Sequence, residues 1–384
     1  MEKNAPPPFK SPKPVIGVVG LGTMGLGIVQ VFLMAGFRVV ATDAFSPVLA
    51  TAHTRLAATL DARVQAAKLT QAARDAALLR LRLVSDIGGM ARSGLVIEAI
   101  AEDRDTKRAV FAKLEGVLSK DAVLATNTSS LSVAAVAEGL VLPGRVLGLH
   151  FFNPAPVMKL VELVAHAGTT DVAMALARQV TEASGKTVIS APDRPGFIVN
   201  RCARPYYGEA LAMLEEGIPA QDIDAAMVDA GYKIGPFALI DLIGADINLA
   251  ATEGLFAAMN GNPRYHVFDA LRSKVASGDL GRKTGRGFVY PAPPAPAPPN
   301  AAEIALRIEA ALINEAASLL AEGGTTRDGI DTAMTLGMNF PRGPFAALRA
   351  HGPRVSAVLD ALAKTAPSHL RGRYTPSPAV AEYA

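Results

Sequence analysis

The sequence predicts an α/β Rossmann-type domain followed by two related all-α domains. Three observations predict this class: a glycine-rich turn after a short apolar strand, a series of apolar runs spaced like the strands of a parallel sheet, and a helical segment that occurs twice. The chain has 384 residues, of which 50% are hydrophobic and 19% are charged. A globular chain of this length is expected to form about two to three domains.

The first predicted elements are two strands and the helix between them. Val15–Val19 is a short, mostly β-branched run, and Thr23–Ala35 has the apolar spacing of a helix. Arg38–Thr42 is again strand-like. This order predicts a βαβ unit, whose crossover is expected to be right-handed.

Residues 46–82 follow this unit and are rich in Ala, Leu, Arg and Gln, with no helix breaker after Pro47. This composition predicts two consecutive helices that form a hairpin protruding from the sheet. Apolar runs later in the chain predict further buried parallel strands, and the last two runs are expected to extend the sheet. The runs are Leu95–Ile97, Ala122–Ala125, Val146–Leu149, Leu160–Val164 and Thr187–Ile189.

The C-terminal half is predicted to be helical, and part of it is repeated. Landmarks of the first copy recur 106 to 108 residues later, which indicates two tandem units that pack together as two subunits would. The corresponding segments are Glu209-Ala210-Leu211 with Glu315-Ala316-Ala317, Asp224-Ala225-Ala226-Met227 with Asp331-Thr332-Ala333-Met334, and Gly235-Pro236-Phe237 with Gly343-Pro344-Phe345.

A proline-rich segment separates the two copies. Six of the nine residues from Pro291 to Pro299 are proline, which predicts a semi-rigid spacer of ~28 Å at ~3.1 Å per residue. The predicted organisation is a flexible tail (1–14), the α/β domain (15–192), a first helical domain (193–290), the linker (291–300) and a second helical domain (301–384).

Composition excludes several classes of function. The net charge is +3 and no nucleic-acid motif occurs, so a nucleic-acid partner is not expected. The single cysteine, Cys202, excludes an internal disulfide and fits a reducing, cytoplasmic compartment. No apolar stretch approaches the ~18–20 residues of a membrane span. The histidines show no metal-ligand spacing, so no metal site is predicted.

The turn Gly20-Leu21-Gly22-Thr23-Met24-Gly25 matches the G-x-G-x-x-G pattern of dinucleotide-binding sites. Its glycines can serve structure alone, but here the pattern follows a strand, opens a helix and precedes an acidic residue, Asp43, at the end of the next strand. Asp43 can bond both ribose hydroxyls and would repel a 2′-phosphate. We therefore expect NAD rather than NADP as cofactor.

His150 ends a predicted strand, and Glu162 lies on the next one. A neutral imidazole can take a proton from an alcohol near pH 7, and a carboxylate can hold its ring in the correct tautomer. Taken alone, His150 would as readily be a buried structural residue, and Glu162 a surface carboxylate. The preceding nucleotide motif favours a redox site.

Three further groups have a functional and a structural interpretation. Asn127, with Thr128, Ser129 and Ser130, can hold a substrate oxygen or cap the following helix. Asn200 can face the same cleft or be a polar residue at a helix start. Glu102 and Lys107 can lie near the nicotinamide or belong to a solvated helix N-terminus.

These residues together resemble the L-3-hydroxyacyl-CoA dehydrogenase family over nearly the whole span from Val15 to Tyr290. Besides the glycine turn, the resemblance rests on seven-to-eight-residue motifs in the expected order and spacing. They are Val96-Ile97-Glu98-Ala99-Ile100-Ala101-Glu102, Ala125-Thr126-Asn127-Thr128-Ser129-Ser130-Leu131, Leu149-His150-Phe151-Phe152-Asn153-Pro154-Ala155-Pro156, Pro195-Gly196-Phe197-Ile198-Val199-Asn200-Arg201 and Gly281-Arg282-Lys283-Thr284-Gly285-Arg286-Gly287-Phe288.

The resemblance implies that His150 is the catalytic base and that Glu162 orients it, while Ser129 and Asn200 contact the 3-oxygen of the substrate. It implies NAD contacts for the glycine turn and for residues on other strand ends. The expected cofactor-binding residues are Gly20, Gly22, Thr23, Met24, Gly25, Asp43, Glu102, Lys107, Asn127, Ser129 and Asn153.

The tandem repeat resembles the dehydrogenase part of multifunctional fatty-acid oxidation enzymes. The second copy shows no equivalent of the Phe197-Ile198-Val199-Asn200-Arg201 motif, as expected of a purely structural copy. No hydratase-like segment precedes the glycine turn, so hydration of enoyl-CoA is not expected. A monomer with two subunit-like halves and a homo-oligomer are both open.

The predicted activity is the reversible, NAD-dependent oxidation of (S)-3-hydroxyacyl-CoA to 3-oxoacyl-CoA, in a cleft between the first two domains. Two alternatives are a dehydrogenase of a non-CoA hydroxy acid or sugar acid on the same scaffold, and an NAD-binding structural protein with an idle site. The acyl chain length, the pathway, the physiological direction and the residues that bind CoA are not predicted.

Overall fold

The computed structural model describes residues 12–383, which fold into two compact units that meet in the sequence between Arg194 and Pro195. Residues 1–11 of the predicted tail lie outside the described residues. The first unit contains eight strands and six helices. The strands are β1 (Val15–Val19), β2 (Val39–Thr42), β3 (Leu81–Leu83), β4 (Ser93–Glu98), β5 (Val123–Thr126), β6 (Val146–Phe151), β7 (Leu160–Ala165) and β8 (Thr187–Pro192).

The helices of the first unit alternate with these strands, as expected for an α/β fold. They are α1 (Thr23–Met34), α2 (Ser46–Gln65), α3 (Gln71–Leu78), α4 (Arg104–Val117), α5 (Val133–Ala137) and α6 (Asp171–Ala183). Helices α2 and α3 confirm the two predicted helices. The prediction of helix to residue 82 was wrong at its end, because Leu81–Leu83 pairs with β2 as strand β3.

All eight strands form one sheet in the order β3-β2-β1-β4-β5-β6-β7-β8. Six neighbouring pairs are parallel, and the β6–β7 pair is antiparallel. The chain order reverses between β1 and β4, which is where sheets of this type bind ligands beyond the carboxyl ends of their strands. The sequence pattern did not indicate the direction of β7.

Burial explains why the strand sequences are continuous apolar runs. Ile16, Val18, Leu95, Ile97 and Leu149 are fully buried in the core that the sheet forms with its helices. A parallel sheet is covered on both faces, so neither face of these strands needs polar residues. The predicted α/β class is confirmed.

The regular elements of the second unit are helices, and its described residues (195–383) contain no β-strand. Its helices are α7 (Val199–Cys202), α8 (Arg204–Glu215), α9 (Ala220–Asp229), α10 (Pro236–Ile243), α11 (Ala245–Ala258), α12 (Asp269–Ala276), α13 (Ala301–Ala321), α14 (Arg327–Gly337), α15 (Pro344–His351), α16 (Arg354–Thr365) and α17 (Pro378–Tyr383). We call residues 196–290 the first repeat and residues 301–383 the second repeat.

The two repeats bind each other through reciprocal ion pairs. Arg201 of the first repeat donates to Glu315 of the second at 2.6 Å, and Arg307 of the second donates to Glu209 of the first at 2.8 Å. Both glutamates are fully buried. Exchanged contacts of this kind are the signature of a twofold subunit interface, here within one chain.

The same exchange continues around each buried glutamate. Tyr265 donates to Glu315, and Tyr374 donates to Glu209 at 3.0 Å. Because a buried carboxylate is stable only with several donors, these bonds complete both sites. The exchange also identifies the part of the motif around Asn200 that the second repeat keeps. Its arginine is retained as Arg307, whereas the asparagine is replaced by Leu306.

A second correspondence lies at two helix N-termini. The Asp224 carboxylate accepts from Phe237 N and Ala238 N at the start of α10, and Asp331 accepts from the two equivalent amides at the start of α15. A Cβ atom at Gly235 or Gly343 would collide with the aspartate of its own repeat, which explains the conserved Gly-Pro-Phe spacing within this chain.

The proline-rich segment between the repeats contains no helix or strand from residue 293 to 298. Pro293 and Pro294 line a groove of about 490 Å³ together with residues of α9 and α10, so the segment packs against the first repeat. Across residues 12–383, no helix is both long enough and apolar enough to cross a membrane.

Candidate functional site

The glycine-rich turn joins β1 to α1 at the reversal point of the sheet. Gly20 has a φ of +95°, and a Cβ atom there would lie 2.6 Å from the carbonyl oxygen of Ala99. A Cβ atom at Gly25 would lie only 1.8 Å from the carbonyl oxygen of Gly20. These two glycines are therefore required by the turn and by the packing of α1 on it.

Gly22 differs from the other two glycines because a Cβ atom there would meet nothing within 4 Å. The protein's own packing does not require glycine at this position. Gly22 is also the N-cap of α1, and its first turn has no side-chain cap. An open approach to uncapped helix N–H groups fits a pyrophosphate, so these residues suit a dinucleotide.

Asp43 follows the last residue of β2, beside the glycine turn. Its carboxylate accepts from Leu21 N at 2.7 Å and from Phe45 N at 2.8 Å. The two backbone bonds hold the carboxylate at the carboxyl edge of the sheet, where the ribose of a dinucleotide binds in folds of this type.

A buried ion-pair cluster lies at the end of β4. The fully buried Glu98 carboxylate binds Lys107 Nζ at 2.6 Å and Thr126 Oγ1 at 2.7 Å. Lys107 Nζ also lies 3.3 Å from Glu102 Oε2, which is more exposed. The role of Glu98 was not predicted from the sequence. Its signal was a carboxylate at the end of an apolar strand, where an unpaired charge would be strongly destabilising.

Glu102 connects this cluster to the loop after β5. Its Oε1 accepts from Ser129 N at 3.0 Å, from Ser130 N at 3.1 Å and from Thr128 Oγ1 at 2.6 Å. Burial raises the pKa of Glu102, but these bonds and the charge of Lys107 outweigh burial, so its pKa lies below the usual range. Glu102 is therefore an ionised anchor for the loop that carries Ser129.

The loop after β5 does not cap the following helix. The N-cap of α5 is Ser132, whereas the Asn127 side chain accepts from Phe151 N at 2.9 Å. This bond ties the loop to the end of β6 beside His150. The capping interpretation of Asn127 was therefore wrong, and Ser129 lies exposed at the same edge of the sheet.

His150 and Glu162 are direct cross-strand partners in the antiparallel β6–β7 pair. His150 Nδ1 lies 2.7 Å from Glu162 Oε2, and both side chains are buried. A carboxylate at this distance accepts the Nδ1 proton, which leaves Nε2 as the basic nitrogen. The Phe152 ring packs on the imidazole at 4.4 Å between centroids. This geometry is the one required of a histidine base and an orienting carboxylate.

The loop between these two residues is held by Lys186, which the sequence analysis did not identify. Lys186 Nζ donates to the carbonyl oxygens of Ala155 at 2.5 Å and Met158 at 2.7 Å. Burial lowers the pKa of Lys186 to about 8. Asn153 lies exposed in the same loop. No motif pointed to Lys186, because only the tertiary fold brings it to this loop.

The remaining predicted residue, Asn200, lies on α7 in the second unit and heads the helical region. The first unit brings most of the other predicted residues to the carboxyl ends of β1, β2, β4, β5 and β6, while Lys107 lies on α4 and Glu162 lies on the antiparallel strand β7 opposite His150. Across residues 12–383, no group of three or more potential metal ligands is found.

A dinucleotide turn and a histidine–carboxylate pair on the same sheet edge define an NAD-dependent oxidoreductase. The chain belongs to the 3-hydroxyacyl-CoA dehydrogenase family. The model of the family's NAD-binding domain matches residues 15–194, and the model of its C-terminal domain matches residues 196–290 and 304–384. The activity is NAD-dependent 3-hydroxyacyl-CoA dehydrogenation in fatty-acid and acyl-CoA metabolism.

Individual relatives agree with this assignment. The chain is 43% identical to a 3-hydroxyadipyl-CoA dehydrogenase of Escherichia coli K12 over 71% of its own length, and spans 58% of that protein. A crystal structure of a 3-hydroxybutyryl-CoA dehydrogenase from Escherichia coli K12 has 32% identity and a TM-score of 0.90, covering 96% of this chain and 98% of that one.

The dehydrogenase part of multifunctional enzyme 1 from C. elegans is similar in fold alone, with 22% identity and a TM-score of 0.63. That match covers 96% of this chain and 89% of the other. The predicted family, fold class, cofactor and activity are confirmed.

Proposed function

We propose that the chain oxidises (S)-3-hydroxyacyl-CoA to 3-oxoacyl-CoA with His150 as the base. Nε2 of His150 takes the proton of the 3-hydroxyl group, and Glu162 stabilises the imidazolium that forms. Gly20, Gly22 and Gly25 would hold NAD, which would supply the hydride acceptor for C3. The observation that carries this proposal is the 2.7 Å contact between His150 Nδ1 and Glu162 in a buried strand pair.

We further propose that Ser129 and Asn200 donate hydrogen bonds to the 3-oxygen of the substrate. The hydrogen bonds of Glu102 support the proposed role of Ser129, because the ionised Glu102 carboxylate holds the backbone N–H group of Ser129. Donors that are fixed before the reaction stabilise the developing carbonyl without reorganisation. The contributions of Lys107, Asn127 and Asn153 to NAD binding stay predictions.

The test is oxidation of NADH with acetoacetyl-CoA, with free acetoacetate and NADPH as comparisons. We expect turnover of the thioester with NADH and much slower turnover in both comparisons, since Asp43 would repel a 2′-phosphate. Equal turnover of free acetoacetate would favour the alternative of a non-CoA hydroxy acid. Tight NADH binding without turnover of any thioester would favour an idle NAD-binding protein.

The base is tested by replacing His150 with alanine. We expect kcat to fall at least ~100-fold, the usual effect of losing a general base, with NADH affinity nearly unchanged. Glu162→Gln is the matched variant, because it keeps the shape of the side chain but weakens the bond to Nδ1. Near-normal turnover of the alanine variant would remove His150 from the mechanism.

We propose that the chain acts as a monomer whose two helical repeats take the place of two subunits. The reciprocal bonds of Arg201 and Arg307 support this, because they satisfy a twofold interface inside one chain. Light scattering after size-exclusion chromatography measures the mass. A dimer mass at micromolar concentration would contradict the proposal.

A further inference from the structure

Arg204 lies in the first turn of α8, four residues after Asn200, and is partly exposed. No carboxylate of a described residue lies within ion-pair distance of its guanidinium. Five other arginines of the helical unit with buried or half-buried side chains each have a carboxylate partner: Arg201, Arg264, Arg307, Arg342 and Arg373. The charge of Arg204 is balanced by none of the described carboxylates.

The guanidinium is nevertheless held in place. Its Nε donates to the carbonyl oxygen of Asn200 at 3.3 Å, and Nη1 donates to Thr252 Oγ1 at 3.2 Å. The ring of Tyr207 lies 4.8 Å from the guanidinium carbon. A side chain that is fixed in this way has already lost most of its rotamer entropy, so a ligand would not have to order it.

One edge of the guanidinium is left for a ligand. Nη2 makes no hydrogen bond with a described residue, yet it is not among the buried polar atoms without partners. Nη2 therefore retains some solvent-accessible surface. Burial of the rest of the group lowers the pKa of Arg204, and the Tyr207 ring acts in the opposite direction. An anionic ligand at Nη2 would relieve the unfavourable burial of this charge.

The spacing of Arg204 from Asn200 limits the ligand. Asn200 lies on α7 and Arg204 begins α8, and four residues at a rise of ~1.5 Å correspond to about 6 Å along a helix axis. If Asn200 binds the oxygen on C3, as proposed above, a ligand group for Arg204 would have to lie a few carbon–carbon bonds of about 1.5 Å further along the acyl chain. A carboxylate at C6 has this reach, because three such bonds separate it from C3.

We propose that Arg204 binds a terminal carboxylate of the acyl chain, so that the preferred substrates are dicarboxylic 3-hydroxyacyl-CoA thioesters of about six acyl carbons. This inference rests on the proposed function, since it takes its geometry from the role of Asn200. The chemistry is a charge-assisted hydrogen bond between guanidinium and carboxylate, with Thr252 holding the cation. The relative named 3-hydroxyadipyl-CoA dehydrogenase acts on an acyl group of this class.

The test compares two thioesters of equal length, 3-oxoadipyl-CoA and 3-oxohexanoyl-CoA, with NADH. The readout is the ratio of their kcat/KM values, in which a general loss of activity cancels. We expect the intact protein to prefer the carboxylate at least tenfold. Arg204→Met should lower this ratio by about 10- to 100-fold, the range for a hydrogen bond to a charged group. Arg204→Lys should retain part of it, because the charge remains without the planar fork.

Two controls accompany these variants. Arg286→Met removes a charge from a side chain that is 75% exposed and should leave the ratio unchanged. Thr252→Val removes the acceptor at Nη1 and should lower the ratio by a smaller factor than Arg204→Met. A chain-length series of dicarboxylic thioesters should peak at six carbons.

The outcomes separate this inference from the proposed function. Turnover of both thioesters with a ratio near one, or a ratio that Arg204→Met leaves intact, overturns the role of Arg204 while the dehydrogenase mechanism stands. Turnover of neither thioester overturns the proposed function, and the role of Arg204 falls with it. A preference for the carboxylate that disappears only in the Arg204 variants supports the inference.

Discussion

The two helical repeats share a framework of buried ion pairs but differ at two polar positions, Asn200 and Arg204. Arg201 and Arg307 make equivalent bonds to buried glutamates, so the framework is the same in both copies. The residue before each arginine is Asn200 in the first repeat and Leu306 in the second. Similarly, Arg204 corresponds to the fully buried Ala310.

Comparing the two repeats separates residues that maintain the fold from residues that we propose for the reaction. A residue needed for the interface recurs in both repeats, because a twofold interface uses each one twice. A polar residue needed only at one site is replaced by an apolar one in the other copy, where burial without a partner would be unfavourable. We propose that Asn200 and Arg204 are of the second kind.

The largest expected effect comes from breaking the shared framework. Glu209→Gln removes the carboxylate partner of Arg373, and Glu315→Gln removes that of Arg264. Each variant also takes one of two carboxylates from Arg307 or Arg201, so each should lower the free energy of unfolding by about 3–5 kcal/mol. Denaturant unfolding followed by circular dichroism measures the change. Glu253→Gln, at an ion pair that is 48% exposed on both sides, is the control and should change stability by less than about 1 kcal/mol. A large loss in only one of the two buried variants would contradict the equivalence of the repeats.

The second prediction exchanges the residues that differ. Asn200→Leu should lower kcat by about 100-fold, since it removes a donor to the developing carbonyl, with little loss of stability. Leu306→Asn should instead lower stability by about 1–3 kcal/mol, because it buries an unpaired amide, and should leave kcat unchanged. Steady-state kinetics and thermal melting of both variants provide the readouts. If both variants lost activity equally, the division of roles between the repeats would be wrong.

The smallest expected effect concerns the aspartates at the N-termini of α10 and α15. Burial raises the pKa of Asp224 to about 7, outweighing its two backbone bonds, and the nearby Asp241 raises it further. Burial also raises the pKa of Asp331, but the charge of Arg349 opposes this shift. The stability of the second repeat should therefore depend less on pH than that of the first repeat.

The sign follows from proton binding. The pKa of Asp224 in the folded state, about 7, lies above its usual value of 3.8, so folding favours the protonated carboxyl group. Its contribution to stability is therefore complete below about pH 4 and is lost as the pH rises through about 7. The intact protein should lose unfolding free energy as the pH rises from about 5 to about 7.5. Asp224→Asn should reduce this loss by on the order of 1 kcal/mol. Asp331→Asn should reduce it less. Identical pH profiles for the intact protein and both variants would argue against a protonated Asp224.

The sequence predicted the elements of the first unit well, because buried parallel strands are continuous apolar runs bounded by turns. It also predicted His150, Glu162 and Asp43, since each lies at or beside a strand of the predicted sheet. It overextended the second helix of the hairpin into Leu81–Leu83. A strand of three residues at the edge of a sheet is too short for its sequence pattern to distinguish it from the end of a helix.

Residues that act through distant contacts could not be predicted. Glu98 and Lys107 are nine positions apart, yet their bond at 2.6 Å depends on the packing of α4 against β4. Lys186 follows a glycine turn like many exposed lysines, and only the fold brings it to the loop of Ala155 and Met158. By its sequence, Arg204 cannot be distinguished from an arginine on a helix surface. Only the structure shows that no carboxylate of a described residue pairs with it.

By itself, the sequence determined the glycine turn, the strand and helix order, the repeat and the identity of the histidine–carboxylate pair, because these depend on local pattern and chemistry. Only the tertiary structure decided that β7 runs antiparallel to β6, which brings His150 Nδ1 to 2.7 Å from Glu162. The tertiary structure also decided that Arg201 and Arg307 each bind a buried glutamate of the other repeat. Strand direction and reciprocal pairing are set by burial over the whole chain, and no short segment encodes them.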